Sequence, residues 1–151
     1  MKLRTLIGNG DKIMLLSLPF VVVGLILNIK YPSIFSVGRP NIILLSFSML
    51  LLLIGVINWV WCIFLIITKI PKKELIQNGP YKLIKHPLYV GFAFLILPWV
   101  GFLFNSWLGA ILGLIMYAGT WIFGKGEEEE LEKRFGSQWS EYKSKVIIKW
   151  I

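Results

Sequence analysis

The sequence contains little of what most sites in soluble proteins are built from. Its 151 residues include one cysteine and one histidine, and only 16% carry a charge, against about 25% in an ordinary soluble domain. A single cysteine, Cys62, leaves no partner for a disulfide and no metal-ligand spacing, so we expect no bound metal. No G-x-G-x-x-G follows a strand-like run, and this excludes the usual soluble dinucleotide or Rossmann-type cofactor site.

Long apolar runs take the place of these features. A helix needs roughly 17–25 predominantly apolar residues to span a bilayer, and four segments approach or meet that length: 13–29, 42–67, 88–104 and 107–123. The last two are separated by Phe104-Asn105-Ser106, which leaves room only for a tight helical hairpin. We predict an all-α polytopic membrane protein, a single membrane domain over residues 1–151 with four transmembrane helices.

Two prolines lie within these segments, Pro19 in the first and Pro98 in the third. A proline inside a helix removes one backbone hydrogen bond and bends the helix. Bilayer helices tolerate this when neighbouring groups bond to the freed carbonyl. We therefore predict a kink at each proline.

The cations are distributed unequally between the predicted loops. With four spans, residues 1–12, the loop 68–87 and the C-terminal tail share one side, and that side has nearly all of the Lys and Arg: Lys2, Arg4, Lys12, Lys69, Lys72, Lys73, Lys82, Lys85, Lys125, Lys133, Arg134, Lys143, Lys145 and Lys149. The opposite side has Lys30 and Arg39. This asymmetry predicts cytoplasmic termini, and anionic lipid headgroups explain the net charge of +8 without a nucleic-acid partner.

The first polar stretch, Glu74 to Gly91, reads ELIQNGPYKLIKHPLYVG. Asn78-Gly79-Pro80 is typical of a turn, and Tyr81 to Lys85 predicts one short helical turn at the membrane surface. Gly91 lies one turn inside the third predicted helix, where it leaves room for a ligand or for the approach of a second helix.

His86 precedes Pro87, a residue suited to the first position of a helix. His86 is therefore expected at the electropositive end of the third helix, where backbone N–H groups can hold an anion. A lone histidine at this place can also be a plain helix cap. The residues alone leave both interpretations open.

The second polar stretch, Glu127 to Val146, reads EEEELEKRFGSQWSEYKSKV. Its apolar residues recur every three or four positions, which predicts an amphipathic helix lying on the membrane surface: Leu131, Phe135, Trp139, Tyr142 and Val146. Gly136 is the position where such a helix would break or bend.

The four glutamates of this stretch are not equivalent. Glu129 and Glu130 each have a cation four residues later, a pattern typical of a solvated face. Glu127 and Glu128 lie on the side of Leu131, directly after the fourth membrane segment. A carboxylate directed toward the membrane boundary is costly without a partner, so these two are the candidate functional acids. The alternative is an ordinary acidic run at a helix start.

Together the two stretches resemble the signatures of the isoprenylcysteine carboxyl methyltransferase and phospholipid methyltransferase superfamily. GPYKLIKHPLYVG is similar to G-x-Y-x-x-x-(R/K)-H-P-x-Y-x-G. EEEELEKRFGSQWSEYKSKV is similar to E-E-x-x-L-x-x-x-F-G-x-x-(Y/W)-x-x-Y. The resemblance covers residues 70–149, and two linked motifs flanking a helical hairpin are more specific than either motif alone.

The resemblance implies an integral-membrane enzyme that uses S-adenosylmethionine to methylate a lipophilic or membrane-embedded acceptor. The cofactor would lie in the 70–149 half, surrounded by residues of the first signature: Leu75, Ile76, Tyr81, His86, Pro87, Tyr89 and Gly91. The glutamate pair falls on Glu127, in the position that touches the cofactor, and on Glu128. His86 suits the cofactor carboxylate, and Glu127 suits its ammonium or a ribose hydroxyl. An acceptor that must lose a proton would use His86 or Glu128 as the base.

One position departs from the family pattern. Members that methylate a prenylcysteine carboxylate have an arginine one turn before the glutamate pair, whereas this chain has Phe123 there. Phe123 is therefore the candidate acceptor-binding residue, and the acceptor class stays open. Lys125 is the nearest cation and a candidate catalytic residue, but a lysine cannot grip a carboxylate with two parallel hydrogen bonds.

Two alternatives to the methyltransferase hypothesis remain. Related membrane lipid or sterol reductases that use NADPH have a similar His-Pro-x-Tyr motif, although those chains are usually longer. A non-catalytic membrane protein of the same fold is also compatible with Phe123. The partners we expect are the lipid bilayer and a lipophilic substrate, with a homodimer as an option, and the layout favours a prokaryotic inner membrane.

Overall fold

The computed structural model describes residues 10–38 and 41–149. Its regular elements are helices: α1 (Gly10–Lys30), α2 (Pro32–Phe35), α3 (Ile42–Lys69), α4 (Pro87–Leu103), α5 (Leu108–Phe135) and α6 (Ser137–Lys145). Short 3-10 turns, Ile70–Lys72 and Gly79–Lys82, lie in the loop between α3 and α4. Within these described ranges the structure has no β-strand, only two isolated bridges. The all-α prediction is confirmed.

All four predicted apolar segments are helical. In the part of the chain that the structure describes, two helices are long and apolar enough to cross a membrane by themselves, Ile42–Lys72 and Leu108–Phe135, while Ser17–Lys30 and Pro87–Leu103 are shorter. The middle of α3 leaves Leu50, Ile57 and Phe64 more than half exposed. Contiguous apolar surface of this kind is unfavourable in water and suits lipid. These helices support a membrane location, and the crossing of all four segments stays a prediction.

The helices pack in the order α1, α5, α4, α3, so α4 lies between α5 and α3. At one end, the connection after α2 meets the α4–α5 hairpin, where Asn105 donates a side-chain hydrogen bond of 2.8 Å to Ser36. At the other end, Ile148 N–H donates to the Leu83 carbonyl at 2.9 Å. The long α3–α4 loop and the C-terminal segment therefore meet at the end opposite the hairpin.

Glycines let α4 approach both neighbouring helices closely. A Cβ atom on Gly113 of α5 would lie 2.2 Å from the Ala93 carbonyl oxygen of α4, and one on Gly55 of α3 would lie 2.6 Å from the Leu95 carbonyl oxygen. Neither distance is sterically possible. Small residues at such crossings are the usual basis of helix association in membranes, and here they fix the position of α4.

Pro98 changes the hydrogen bonding of α4, and the kink predicted there stays a prediction. The helix is α-helical over Pro87–Gly91, π-helical over Phe92–Ile96 and α-helical again over Leu97–Leu103. Pro98 has no N–H for the Phe94 carbonyl, and the indole of Trp99 donates to that carbonyl instead, at 3.0 Å. The group that bonds to the freed Phe94 carbonyl is thus a side chain of the same helix. α1 continues through Pro19, and a bend there stays a prediction.

One continuous helix joins the fourth predicted membrane segment to the glutamates, so the surface helix predicted over Glu127–Val146 does not begin at Glu127. α5 does not end at Phe123 but continues through the glutamates to Phe135, because Glu, Leu, Lys and Arg are strong helix formers. Gly136, with φ +52°, then separates α5 from the short α6. The segment Glu127–Val146 is therefore divided at Gly136, where a break was predicted, and α6 has nine residues.

The apolar stripe of the C-terminal segment is covered by the chain itself. Trp139, Tyr142 and Val146 are buried, and Leu75, Leu131 and Phe135 pack against them. The sequence pattern predicted this stripe correctly, but we had expected it to face the membrane. Instead it holds α6 against the end of α5 and the α3–α4 loop.

Candidate functional site

The polar residues of the two sequence stretches meet at one end of the molecule. Lys85 Nζ lies 2.6 Å from Oε1 of Glu128, and His86 Nε2 lies 3.7 Å from the same oxygen. The Tyr89 hydroxyl donates to Oε2 of Glu127 at 3.4 Å. The loop before α4, the first turn of α4 and the charged part of α5 that follows its apolar residues therefore form one site.

Local sequence explains how the loop enters α4. Gly79 adopts φ +61° and begins the 3-10 turn Gly79–Lys82, which confirms the turn predicted there. His86 is the N-cap residue of α4 and Pro87 follows at its first position, as predicted. The His86 side chain makes no cap hydrogen bond, so the plain-cap interpretation loses its main support.

Helical phase separates the four glutamates as predicted. Glu127 and Glu128 are half-buried and face the loop and α4, whereas Glu129 and Glu130 are exposed. The apolar side of this part of α5 is the side that packs, so the two acids on it are the ones that meet partners.

Glu128 lies beside two basic groups. The neighbouring His86 ring and the Lys85 ammonium lower the pKa of the Glu128 carboxyl to about 2, while partial burial acts in the opposite direction. Glu128 is therefore ionised at neutral pH and is held in a charge-assisted pair with Lys85, of the kind that is shorter and stronger than a neutral hydrogen bond.

One polar atom of the site has no hydrogen bond. His86 Nε2 is buried and has no hydrogen-bond partner within the described part of the chain, since 3.7 Å to Glu128 is too long. Gly124 of α5 faces this atom, and a Cβ there would lie 3.6 Å from it. A buried nitrogen without a partner is costly, and a polar group of a bound ligand would remove that cost.

Tyr81 is fixed beside the same acids. Its carbonyl accepts a 2.7 Å hydrogen bond from the hydroxyl of Tyr142 in α6. Burial raises the pKa of the Tyr81 hydroxyl, and the nearby Cys62 and Glu127 raise it further. Tyr81 therefore stays a neutral phenol, and its side chain lies among groups of the site.

The other predicted site residues lie around this group with less specific contacts. Leu75 packs against the cluster of Trp139, Tyr142 and Val146, and Ile76 is half-buried. Pro87 is fully buried. Phe123 is half-buried, one turn before Glu127, and Lys125 is exposed. The structure thus brings together His86, Tyr89, Glu127 and Glu128, and it leaves Lys125 at the surface.

Sequence reasoning missed three residues that shape the site. Lys85 was not among the predicted site residues, yet it forms the ion pair with Glu128. Gly124 faces His86, and its sequence gives no signal of that. Asn58 of α3 donates to the Pro87 carbonyl at 3.3 Å. An amide within a long apolar run is unusual, and this could have drawn attention to it.

Comparison with known protein families assigns the chain to one of them. Residues 41–133 match the isoprenylcysteine carboxyl methyltransferase (ICMT) family, which is more than half of the chain. The chain belongs to this family. Comparisons with curated proteins and with solved structures gave no match.

The matched region is placed differently from the resemblance seen in the sequence. It begins at residue 41 and so includes all of α3, where we recognised no motif, and it ends at residue 133, before α6. It contains Asn58 together with His86, Tyr89 and both glutamates. The family assignment indicates a membrane methyltransferase and agrees with the apolar helices.

Proposed function

We propose that this chain transfers a methyl group from S-adenosylmethionine to a lipophilic acceptor in the membrane. The observation that carries the proposal is the convergence of Glu127 and Glu128 on Lys85, His86 and Tyr89. The two stretches that resemble the family signatures are more than 30 residues apart in sequence, and their polar side chains form a single site.

The residues present fit the proposed cofactor. His86 Nε2 is a buried nitrogen without a hydrogen-bond partner in the described ranges, and it suits the carboxylate. Glu127 suits the ammonium or a ribose hydroxyl, and the faces of Tyr81 and Tyr89 suit a sulfonium, since aromatic rings attract cations. When bound, S-adenosylmethionine would supply an activated methyl group whose leaving group is a neutral thioether.

The ion pair favours His86 over Glu128 as the candidate base. Glu128 is held by Lys85 and has a pKa of about 2, which is far from the neutral value that suits a general base. We infer that Glu128 orients Lys85 and His86. For an amine or thiol acceptor, His86 is then the remaining candidate to take the proton, and in that case its Nε2 would not hold the cofactor carboxylate. A carboxylate acceptor would need no base.

The acceptor is proposed to lie near Phe123 and to be lipophilic. Phe123 is half-buried and Lys125 is exposed, so the side chain one turn before the acid pair is an apolar ring where the family pattern has an arginine. Catalysis would come mainly from positioning the acceptor and excluding water. Phe123→Ala should then change the range of accepted substrates more than it changes cofactor affinity.

Calorimetric binding of S-adenosylmethionine and its demethylated product to detergent-purified protein tests the proposal. His86→Ala and Glu127→Ala should each lose binding. Glu130→Ala, which removes an exposed acid one turn away, should retain it, and NADPH should not bind. Binding of NADPH alone would favour the reductase alternative, and binding of neither ligand would favour a non-catalytic protein.

A further inference from the structure

Asn58 stands alone as a polar group in the middle of α3. Between Ser48 and Thr68 it is the only side chain of that helix that has an amide, a hydroxyl or a charge. A strongly polar side chain within an apolar membrane helix is expensive unless it has a partner. Asn58 is only half-buried. Burial within the protein therefore does not account for a polar residue at this position, and a specific hydrogen-bond partner is needed.

The partner of Asn58 is the first turn of α4. Asn58 Nδ2 donates to the Pro87 carbonyl at 3.3 Å, and a Cβ on Gly91 would lie 2.3 Å from the same nitrogen. Any side chain at position 91 would therefore push the amide away. One turn further along the crossing, Gly55 meets the Leu95 carbonyl in the same close way.

The held carbonyl lies within the functional site. Pro87 is flanked by His86 and comes two residues before Tyr89, and both of these side chains face the glutamates of α5. A hydrogen bond to that carbonyl fixes the depth and the rotation of the turn that presents them. We propose that Asn58 is a positioning residue that sets the placement of His86 and Tyr89, and that Gly91 is glycine because this amide must reach the Pro87 carbonyl.

The competing explanation is that Asn58 only joins two helices. In that case its loss would lower stability without changing the site. His86 is the only histidine in the chain, so nuclear magnetic resonance of ¹⁵N-histidine-labelled protein reports on this one ring without any ligand. The measurement therefore does not depend on the proposed function.

The first experiment compares Asn58→Leu with Ser48→Ala in detergent. Ser48 is a buried polar residue of the same helix whose hydrogen bond goes to Leu44 of its own helix, so it is the matched control. Asn58→Leu should shift or split the His86 ring signals while the protein remains helical and melts cooperatively. Ser48→Ala should leave those signals unchanged. An unchanged His86 spectrum in folded Asn58→Leu would overturn the proposal.

Calorimetry on the same proteins adds the cofactor, and this part rests on the proposed function. Hydrogen bonds between membrane helices are worth about 0.6–1.7 kcal/mol, so Asn58→Leu should weaken S-adenosylmethionine binding by about three- to seventeenfold, and Ser48→Ala should have no effect. A changed His86 spectrum without any cofactor binding, in the unmutated protein as well, would reject the methyltransferase but keep the positioning role.

A double-mutant cycle tests the contact with Gly91. Gly91→Ala should disturb the His86 signals and lower the melting temperature, because its new Cβ would meet the amide. In the Asn58→Ala background the same change should have a smaller effect, since the amide is gone. Strictly additive effects would show that the two residues do not act on each other and would overturn this part of the proposal.

Discussion

Glu127 and Glu128 are neighbours in sequence, yet the structure gives them different partners. Glu128 pairs with a lysine at 2.6 Å, whereas Glu127 accepts a longer hydrogen bond from a tyrosine. Lys85 therefore compensates the charge of Glu128, and the Tyr89 hydroxyl contacts Glu127. The division of roles between the two acids thus follows from one lysine in the loop before α4.

Replacing Lys85 tests this division. Lys85→Met leaves a partly buried carboxylate without its ammonium, and we expect it to lower the free energy of unfolding by about 1–3 kcal/mol at neutral pH. Lys85→Arg, the control, should stay close to the unmutated protein because it retains the charge. Thermal unfolding in detergent gives both values.

The effect of Lys85→Met should also depend on pH in a defined direction. The pKa of Glu128 is about 2 in the folded protein, against an ordinary value of 4.5. The carboxylate therefore stabilises the fold above about pH 4.5, and this contribution is lost as the pH falls toward 2. The stability difference between Lys85→Met and the unmutated protein should shrink over that range, and a difference that grows would contradict the ion pair.

Gly124 offers a test of the space at His86. A Cβ at this position would lie 3.6 Å from His86 Nε2, an ordinary contact, and one on Gly24 would lie 3.7 Å from Leu112 between α1 and α5. Both Gly124→Ala and Gly24→Ala should fold, and each removes a flexible helix glycine. Only Gly124→Ala should weaken cofactor binding in calorimetry. Equal affinity in the two variants would show that no ligand group occupies the place beside His86.

At the scale of the helices, most of the fold was predictable, and the end of α5 was the exception. Apolar run lengths located α1, α3, α4 and the start of α5, because burial in lipid requires a continuous run. They failed at the end of α5, since helix formation continues in charged residues after the apolar window stops. In the site, helical phase selected Glu127 and Glu128 correctly. Lys85 contacts Glu128, and Asn58 contacts the Pro87 carbonyl. Both residues come from other elements, so their contacts depend on tertiary packing and were not predicted.

The π-helical turn before Pro98 gives a prediction about α4 as an element. The Trp99 indole donates to the Phe94 carbonyl, and Trp99→Phe removes that donor while it retains a ring to pack against Phe47 and Phe102. We expect Trp99→Phe to lower the free energy of unfolding by about 0.6–1.7 kcal/mol. In a Pro98→Ala background the loss should be smaller, because the new N–H can bond to Phe94. Thermal unfolding of the four proteins measures this, and equal losses in both backgrounds would contradict the role of the indole.

The molecule as a whole has two chemically different ends. The end with the site has cations from the α3–α4 loop, the charged part of α5 and α6, among them Lys72, Lys82 and Lys143, while the hairpin end has few charges. Because the described helices pack side by side between these ends, a bilayer around them would place the site at one membrane surface. A water-soluble cofactor would then reach His86 and Glu127 from the water at that surface, while a lipophilic acceptor would approach from the bilayer.

This orientation predicts the side on which each loop is accessible. In a Cys62→Ala chain, a single cysteine would replace one of four exposed residues in turn: Lys30, Phe104, Lys73 or Lys145. A membrane-impermeant maleimide added to intact cells should label Lys30→Cys and Phe104→Cys, since both lie at the hairpin end. Lys73→Cys and Lys145→Cys should react only after the cells are permeabilised, because positive loops stay in the cytoplasm.

Each pair of labels examines a different part of the fold. Labelling of Lys30→Cys and Lys73→Cys from the same side would mean that α3 does not cross the bilayer, despite its length. Labelling of Phe104→Cys only after permeabilisation would mean that α4 and α5 enter and leave on one surface. The second measurement is the more stringent one because α4, Pro87–Leu103, is short. Its length is at the lower limit of a span, which needs roughly 17–25 residues. The helix must nevertheless cross the bilayer if the site and the hairpin lie on opposite sides.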